Sequence, residues 1–389
     1  MNPSRQATDA VWAGEEPLLL TGATAVPVSL GVAHGYADVD EWEAVALGRA
    51  PGHIYARNTN PTVEAFEQKI RALEGAEDVT SFSTGMAAIS NTLFALLAPG
   101  DRIVSVKDTY GGTNQLFTGT LPRWGVTAAL CDTTDTAAIE AEISKGCMLL
   151  YLETPTNPTL KVTPIARLAA AAHRAGAIVV VDNTCATPIN QSPLALGADL
   201  VVHSATKFLG GHADAMGGAL CGKRDLVRKV FHHREINGAS LDPMSAYLLL
   251  RGMKTLSLRI ERQNASAMAI ARWLEHHPRV LQVNYPGLES HPQHATAADQ
   301  MSGFGGMLSF ALRGGFEEVK RVLPKFGLMH RAANLGAVET VGGPPATTSH
   351  VECTREQRAA MAIPEGLIRY SVGIEAVEDL VADLRQALG

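Results

Sequence analysis

Cysteine is scarce in these 389 residues: Cys131, Cys147, Cys185, Cys221 and Cys353 are far apart, odd in number and form no CxxC pair. That usage excludes a disulfide framework and a thiolate zinc site, and it fits reduced thiols in a reducing compartment. Long apolar runs are also missing. No stretch approaches the roughly 18 apolar residues of a membrane helix, and the opening MNPSRQATDAVWAGEEP lacks the apolar segment of a signal peptide. The reading is a cytoplasmic protein with no membrane partner. Positive charge is not in excess, since 33 Lys and Arg against 39 Asp and Glu leave a net charge of −6. Nothing therefore matches a nucleic-acid backbone. No GxGxxG follows a strand-like run with an acid about 20 residues later, and no GxxxxGKS/T occurs, which sets aside dinucleotide dehydrogenases and nucleoside triphosphatases. Among the 13 histidines, His203, His212, His232 and His233 lack the spacing of a closed metal site, so no metal is expected.

What is present is the makeup of a packed globular protein, 46% hydrophobic and 19% charged, at a length that calls for two domains. Residues 1–62 mix Pro, Gly and polar residues with little periodicity, which predicts an extended arm buried against a neighbouring subunit. Over 63–255, apolar runs at Ile103–Val106, Met148–Glu153, Ile178–Asp182 and Leu200–His203 alternate with helical segments such as Pro164–Ala175. This pattern predicts an α/β domain whose sheet is covered on both faces by crossover helices. A helical stretch from about Ser245 to His276 leads into a smaller α+β domain over 256–389. There Gly305–Leu312 and Leu367–Val372 read as strands and Glu375–Leu388 as a closing helix.

In open α/β sheets ligands bind beyond the carboxyl ends of the strands, so the polar residues that terminate the apolar runs are the candidates. Ser83-Thr84-Gly85-Met86 opens an apolar helix, and its glycine would let an anion approach free backbone amides. Read alone, the motif is an ordinary helix cap. Asp182 ends IVVVDNT and could face a protonated ring nitrogen, while Lys207 in VVHSATKFLGG follows another buried strand with Ser204 and Thr206 beside it. A half-buried lysine has the lowered basicity that Schiff-base chemistry needs, although either residue alone is more often a salt-bridge partner. Together they offer an aldehyde anchor, a pyridinium partner and a phosphate cradle, which are the handles of pyridoxal 5′-phosphate. Glu153 and Asn157 in YLETPTNP, and Tyr110 in DTYGGTNQLF, belong to the same mouth.

At this point the chain resembles the cysteine/methionine-metabolism (trans-sulfuration) family of fold-type I pyridoxal-phosphate enzymes. The resemblance is carried by YARNTNPT (55–62), STGMAAI (83–89), ETPTNP (153–158), VDNT (181–184), SATKF (204–208) and IRYSVGIE (368–375). It implies an aspartate-aminotransferase-like large domain with a mixed, mostly parallel sheet and a smaller C-terminal domain. It also implies a covalent cofactor on Lys207, Asp182 at the pyridine nitrogen, and Tyr110 stacked on the ring as acid toward the leaving group. Gly85, Met86, Ser204 and Thr206 would hold the phosphate, with Tyr55 and Arg57 reaching in from a neighbouring subunit. Asn157 would meet the phenolic oxygen, Arg369 would clamp the substrate carboxylate, and Asn334 and Tyr55 would line the substrate site. A homotetramer with shared active sites is the implied assembly.

Members of this family run γ-elimination or γ-replacement on sulfur amino acids. Where cystathionine enzymes usually carry an acid and a serine, this chain has Ala333 and Asn334 in RAANLGAVET. Loss of the acid favours an S-methyl over a second amino-acid moiety, so methionine γ-lyase is the preferred reading. Arg234-Glu235 matches a Lys-Asp pair typical of methionine γ-lyases, or else is a solvated surface bridge. Gly112, two residues after Tyr110, stands where those lyases usually have cysteine and points the other way. Cystathionine γ-lyase or γ-synthase, an O-acetylhomoserine sulfhydrylase-type replacement, and a non-catalytic cofactor-binding protein remain the alternatives.

Overall fold

Short aliphatic runs between Ala-rich amphipathic segments build the larger of two sheets in the computed structural model, which describes residues 3–16, 22–351 and 353–389. Its strands are β1 (Asp78–Phe82), β2 (Arg102–Val106), β3 (Thr127–Cys131), β4 (Leu149–Glu153), β5 (Ile178–Asp182), β6 (Leu200–Ser204) and β7 (Gly218–Gly222). They lie in the order β1-β7-β6-β5-β4-β2-β3, with β7 antiparallel to both neighbours and every other pairing parallel. This is the mixed, mostly parallel sheet of an α/β protein. The four runs expected from the sequence are β2, β4, β5 and β6. β4 and β7 are buried at every position, and β5 and β6 at all but one end residue, because helices cover both faces.

The register decides what meets at the sheet edge. Glu153 pairs with Asp182 across β4 and β5, so two carboxylates end adjacent strands side by side. β6 runs on directly into Ser204–Lys207, and β1 delivers the chain to the helix Gly85–Leu96.

The second sheet contains β8 (Val280–Asn284), β9 (Met307–Leu312), β10 (His330–Arg331), β11 (Val341–Gly343) and β12 (Leu367–Ser371), in the order β10-β11-β12-β9-β8. It is antiparallel except between β10 and β11. Ala267, Ile270 and Leu274 of the helix Leu256–Glu275, with Leu380 and Leu384 of the helix Val377–Leu388, pack on Leu308, Phe310, Ile368 and Tyr370 to form its core. The helix expected over 245–276 is two helices, Pro243–Met253 and Leu256–Glu275. At the break, the carbonyl of Gly252 accepts the Thr255 hydroxyl at 3.2 Å and Arg259 Nη2 at 2.9 Å.

The extended arm expected over 1–62 is only partly extended, and its residues 1–2 and 17–21 lie outside the described residues. It carries helices at Pro3–Trp12 and Val39–Ala46, the second capped by Asp38, whose carboxylate accepts the amides of Asp40 and Glu41. The first helix packs on its own chain. Lys69 Nζ, fully buried, donates to the carbonyls of Ala10 and Val11 at 2.9 Å and to Glu15 at 3.1 Å, and Lys254 completes the Glu15 pair at 2.7 Å. From residue 22 onward the arm stays open, with Leu30, Val32, Val39 and Trp42 all exposed. Among the described residues no helix is long and apolar enough to cross a membrane.

Candidate active site

The helix Gly85–Leu96 begins where β1 ends. Thr84 caps it by accepting the Ala87 amide at 2.9 Å, which leaves the amides of Gly85 and Met86 without an acceptor among the described residues. Gly85 lies so close to the loop after β6 that a Cβ there would sit 2.6 Å from Ser204 Cβ and 2.9 Å from its Cα. The absence of that atom brings two free amides and the Ser204 hydroxyl to one spot, a cradle suited to an anion. Thr206 lies next to it, its hydroxyl accepting the Gly217 amide at 3.0 Å. A cleft of about 680 Å³ opens here, walled by Thr84, Thr206, Asp214, Met216, Asp242 and Asn334.

Deeper in, Asp182 Oδ1 accepts the Thr184 amide at 3.0 Å and Oδ2 accepts the Tyr151 hydroxyl at 3.3 Å. Burial pushes its carboxyl above the usual range, against the pull of the Thr184 bonds and of His203. Glu153 accepts the Tyr110 amide at 2.7 Å and the Asn157 amide at 3.4 Å. Burial first, and then Asp182 beside it, drive its carboxyl well above the ordinary value. Two buried carboxylates in register do not both ionise readily.

Lys207 Nζ donates to Asn334 Oδ1 at 3.0 Å and faces no carboxylate partner among the described residues. Burial, then the nearby Arg369 charge, hold its amine below the usual lysine range, as an aldehyde-binding lysine requires. Arg369, 3% exposed on β12, donates through Nη2 to the Asn334 carbonyl at 2.7 Å and through Nη1 to Asn157 Oδ1 at 3.3 Å. Its Nε is buried with no partner among the described residues. A buried guanidinium without a counter-charge is matched to an incoming carboxylate.

The chain thus brings Gly85, Met86, Ser204, Thr206, Asp182, Lys207, Asn157, Asn334 and Arg369 to one region. Tyr110 stands at its edge, its amide fixed by Glu153 and the residue 44% exposed. Tyr55 and Arg57 are not brought in by their own chain. Tyr55 is 40% exposed with the Arg57 guanidinium 5.1 Å over its ring, and neither side chain bonds to the residues above among those described.

Three features escaped the sequence reading. Tyr151, which holds Asp182, stands two positions before Glu153 on β4, and the strand's period of two was the available signal. His203 was weighed only as a metal ligand. It sits 2.6 Å from Glu74, which also accepts Asn183 Nδ2 at 2.9 Å, forming a buried network behind Asp182. Arg234 and Glu235 do not form a solvated surface bridge. Arg234 is 2% exposed and donates to the carbonyls of Ser81, Arg57 and Asn58, while Glu235 accepts Asn58 Nδ2 at 2.9 Å. They pin the segment that carries Tyr55 and Arg57.

A reactive buried amine, an acid at a strand end, an anion cradle and an unpaired guanidinium, mounted on a mixed α/β sheet with a second small sheet, are the parts of a pyridoxal-phosphate enzyme, and these residues fit that cofactor. The chain belongs to the Cys/Met metabolism PLP-dependent enzyme family, whose model matches residues 7–389. It is 41% identical over 384 residues to the L-methionine gamma-lyase of Pseudomonas putida, covering 98% of this chain and 96% of that one. With the cystathionine gamma-lyase of Bacillus subtilis it shares 42% identity over 369 residues, covering 95% of each. The crystal structure of cystathionine gamma synthase from Xanthomonas oryzae superposes with a TM-score of 0.93 at 38% identity, covering 98% of this chain and 97% of that chain.

Proposed function

We propose that this enzyme eliminates the γ-substituent of methionine or a close analogue, releasing 2-oxobutanoate, methanethiol and ammonia. The observation that carries this reading is the wall beside Lys207. There Asn334 presents a neutral amide to the lysine and is preceded by Ala332 and Ala333, so this stretch brings no carboxylate to meet the ammonium of a second amino-acid moiety, which an S-methyl group does not need.

Pyridoxal phosphate, when bound, supplies an electron-withdrawing ring that stabilises negative charge on the substrate carbon next to the amine. Lys207 is the anchoring amine. Its depressed basicity lets Nζ accept a proton from Cα and return one at the neighbouring carbons. Asp182, fixed by Tyr151 and Thr184, holds a proton on the pyridine nitrogen. The amides of Gly85 and Met86 with the hydroxyls of Ser204 and Thr206 take the phosphate, and Asn157 takes the phenolic oxygen. Arg369 orients the substrate through its carboxylate, with Asn334 alongside. Tyr110, held at the edge of the site by Glu153, would lie against the cofactor ring and donate its phenolic proton to the departing sulfur. Tyr55 and Arg57 reach across to the phosphate and substrate sites of a second copy, which their exposure on an open arm supports. Active sites are then shared within dimers that pair into a tetramer. Five free cysteines support the cytoplasm as the working compartment.

A second reading, cystathionine cleavage or synthesis or a related γ-replacement, is favoured by two observations. Asp214 and Asp242 line the same cleft and could take a distal ammonium. A Cβ at Gly112 would lie 2.9 Å from Met86 Sδ, so the cysteine usual in methionine γ-lyases has no room here without a shift of Met86.

Incubation with L-methionine, L-cystathionine and O-acetylhomoserine, each with and without cysteine, separates the readings by mass spectrometry. Oxobutanoate with methanethiol from methionine supports the first. Thioether from the activated homoserine with little oxobutanoate rejects it in favour of replacement.

A further inference from the structure

Lys161 lies outside the residues assigned above, yet its ammonium joins three segments that border the site. It donates to both carboxylate oxygens of Asp108 at 3.0 Å and to the carbonyl of Met361 at 3.2 Å. An ammonium has three N–H bonds, so this arrangement uses all of them. Asp108, 4% exposed, precedes Tyr110 by two residues and also accepts the Thr133 hydroxyl. Met361 follows the helix Arg355–Ala360 in the connection between β11 and β12, the strand that bears Arg369.

The position of Lys161 is itself rigid. Its amide donates to Thr156 Oγ1 at 3.1 Å and its carbonyl accepts the Thr156 amide at 3.0 Å, closing the loop that holds Asn157. The β11–β12 connection meets the Tyr110 loop a second time, where the Ser349 carbonyl lies 3.1 Å from the place a Gly111 Cβ would occupy. Within the connection Arg358 donates to Glu365 at 2.9 and 3.1 Å and Ile363 is buried against Ala311 and Leu367, whereas Val351 is exposed and Ala362 takes a left-handed conformation at φ 59° directly after Met361.

We infer that Lys161 is a positioning residue that latches the 353–363 segment to the Tyr110 loop, so that the loop bearing the leaving-group acid and the connection leading into the Arg369 strand are joined through one ammonium. The inference rests on the reading that Tyr110 and Arg369 flank the substrate. Nothing in it depends on which sulfur amino acid is used. Removing the ammonium releases the Met361 carbonyl of the segment and leaves Asp108 buried with only a hydroxyl partner among the described residues, so both borders loosen together.

The test compares cofactor-loaded wild type, Lys161→Met and Asp108→Asn by hydrogen exchange of peptides spanning 353–363 and by steady-state kinetics on whichever substrate the wild type turns over. Lys161→Met should speed exchange in 353–363 by at least tenfold. It should also lower kcat by about tenfold to a hundredfold, the loss typical of a reacting group moved by about 1 Å, and raise KM. Asp108→Asn keeps the ammonium and its bond to Met361, so kcat should fall while exchange in 353–363 stays within about twofold of wild type. The visible absorbance of the lysine-bound cofactor should persist in both variants. Loss of that absorbance in the wild type would instead remove the cofactor reading itself, which separates the two failures. Unchanged exchange in Lys161→Met, or equal exchange gains in both variants, overturns the latch. So does unprotected exchange of 355–363 in the wild type, a result that needs no variant to fold.

Discussion

Replacing Arg369 with methionine should cost the enzyme its substrate while leaving its fold almost as stable as before. Among the described residues the guanidinium makes two hydrogen bonds, to the Asn334 carbonyl and to Asn157 Oδ1, and buries Nε without a partner. Hydrogen bonds to a charged group contribute about 1.5–3 kcal/mol each. Holding an uncompensated charge away from water costs several kcal/mol, and that burial is what holds the Arg369 pKa down. The two terms nearly offset, so the net change in stability should stay within about 2 kcal/mol. For a 389-residue chain the unfolding entropy is about 0.8 kcal/mol/K, which makes that a shift of no more than about 2–3 °C. With substrate present the balance differs, because the carboxylate supplies the missing charge through paired charge-assisted bonds. Losing those should cost about 3–5 kcal/mol, or roughly two to four orders of magnitude in kcat/KM. Calorimetry and steady-state kinetics on Arg369→Met measure both numbers. A kcat/KM within tenfold of wild type, or a melting temperature lowered by more than about 6 °C, would refute the account of Arg369 as an unpaired charge awaiting a carboxylate.

Lys207→Ala should abolish turnover and the visible absorbance of the bound cofactor together, and appreciable activity without that absorbance would remove the proposed anchor. Gly85→Ala places a Cβ against Ser204 and should push the helix end away from the anion cradle, weakening cofactor affinity by about tenfold or more in an absorbance titration. Glu153 has its folded-state pKa raised by burial and by Asp182, so its stabilising contribution is complete below the ordinary carboxylate pKa and is lost as pH rises through the raised value. The cofactor-free protein should accordingly lose melting temperature as pH climbs from about 4.5, and Glu153→Gln should flatten that slope. An equally steep slope in the variant would place the titration elsewhere.

The legible part of the site was the part that lies close in sequence to a strand end. Asp182, Lys207 and Ser204 each terminate or follow an apolar run, and the glycine-opened helix after β1, an ordinary cap when read alone, gained its meaning as an anion site beside them. Strands with little β-branched character were harder to read. GALCG and TAALC look like neither strand nor helix, yet they form β7 and β3, because pairing partners in the sheet supply what local propensity does not. The helix Pro3–Trp12 was missed for a related reason. Its ordering depends on Lys69, some sixty positions away, capturing the carbonyls of Ala10 and Val11.

Arg234 shows the limit most clearly. As a charged residue beside another in HHREIN it reads equally as a family-type pair or as a solvated bridge, and only the packing of β1 and the 57–58 segment around it makes it a buried clamp. By itself, then, the sequence determined the α/β class and the handles for the cofactor, because strand periodicity and strand-end motifs are local properties, while the family chemistry came from the resemblance its six motifs carry. Which carboxylates share one pocket, that Tyr151 holds Asp182, that Arg369 is left without a counter-charge and that Lys161 joins three loops were decided only by the tertiary structure. Those facts depend on strand register and on contacts between residues far apart in the chain; the period of two puts Tyr151 and Glu153 on one face of β4 but names no partner for either.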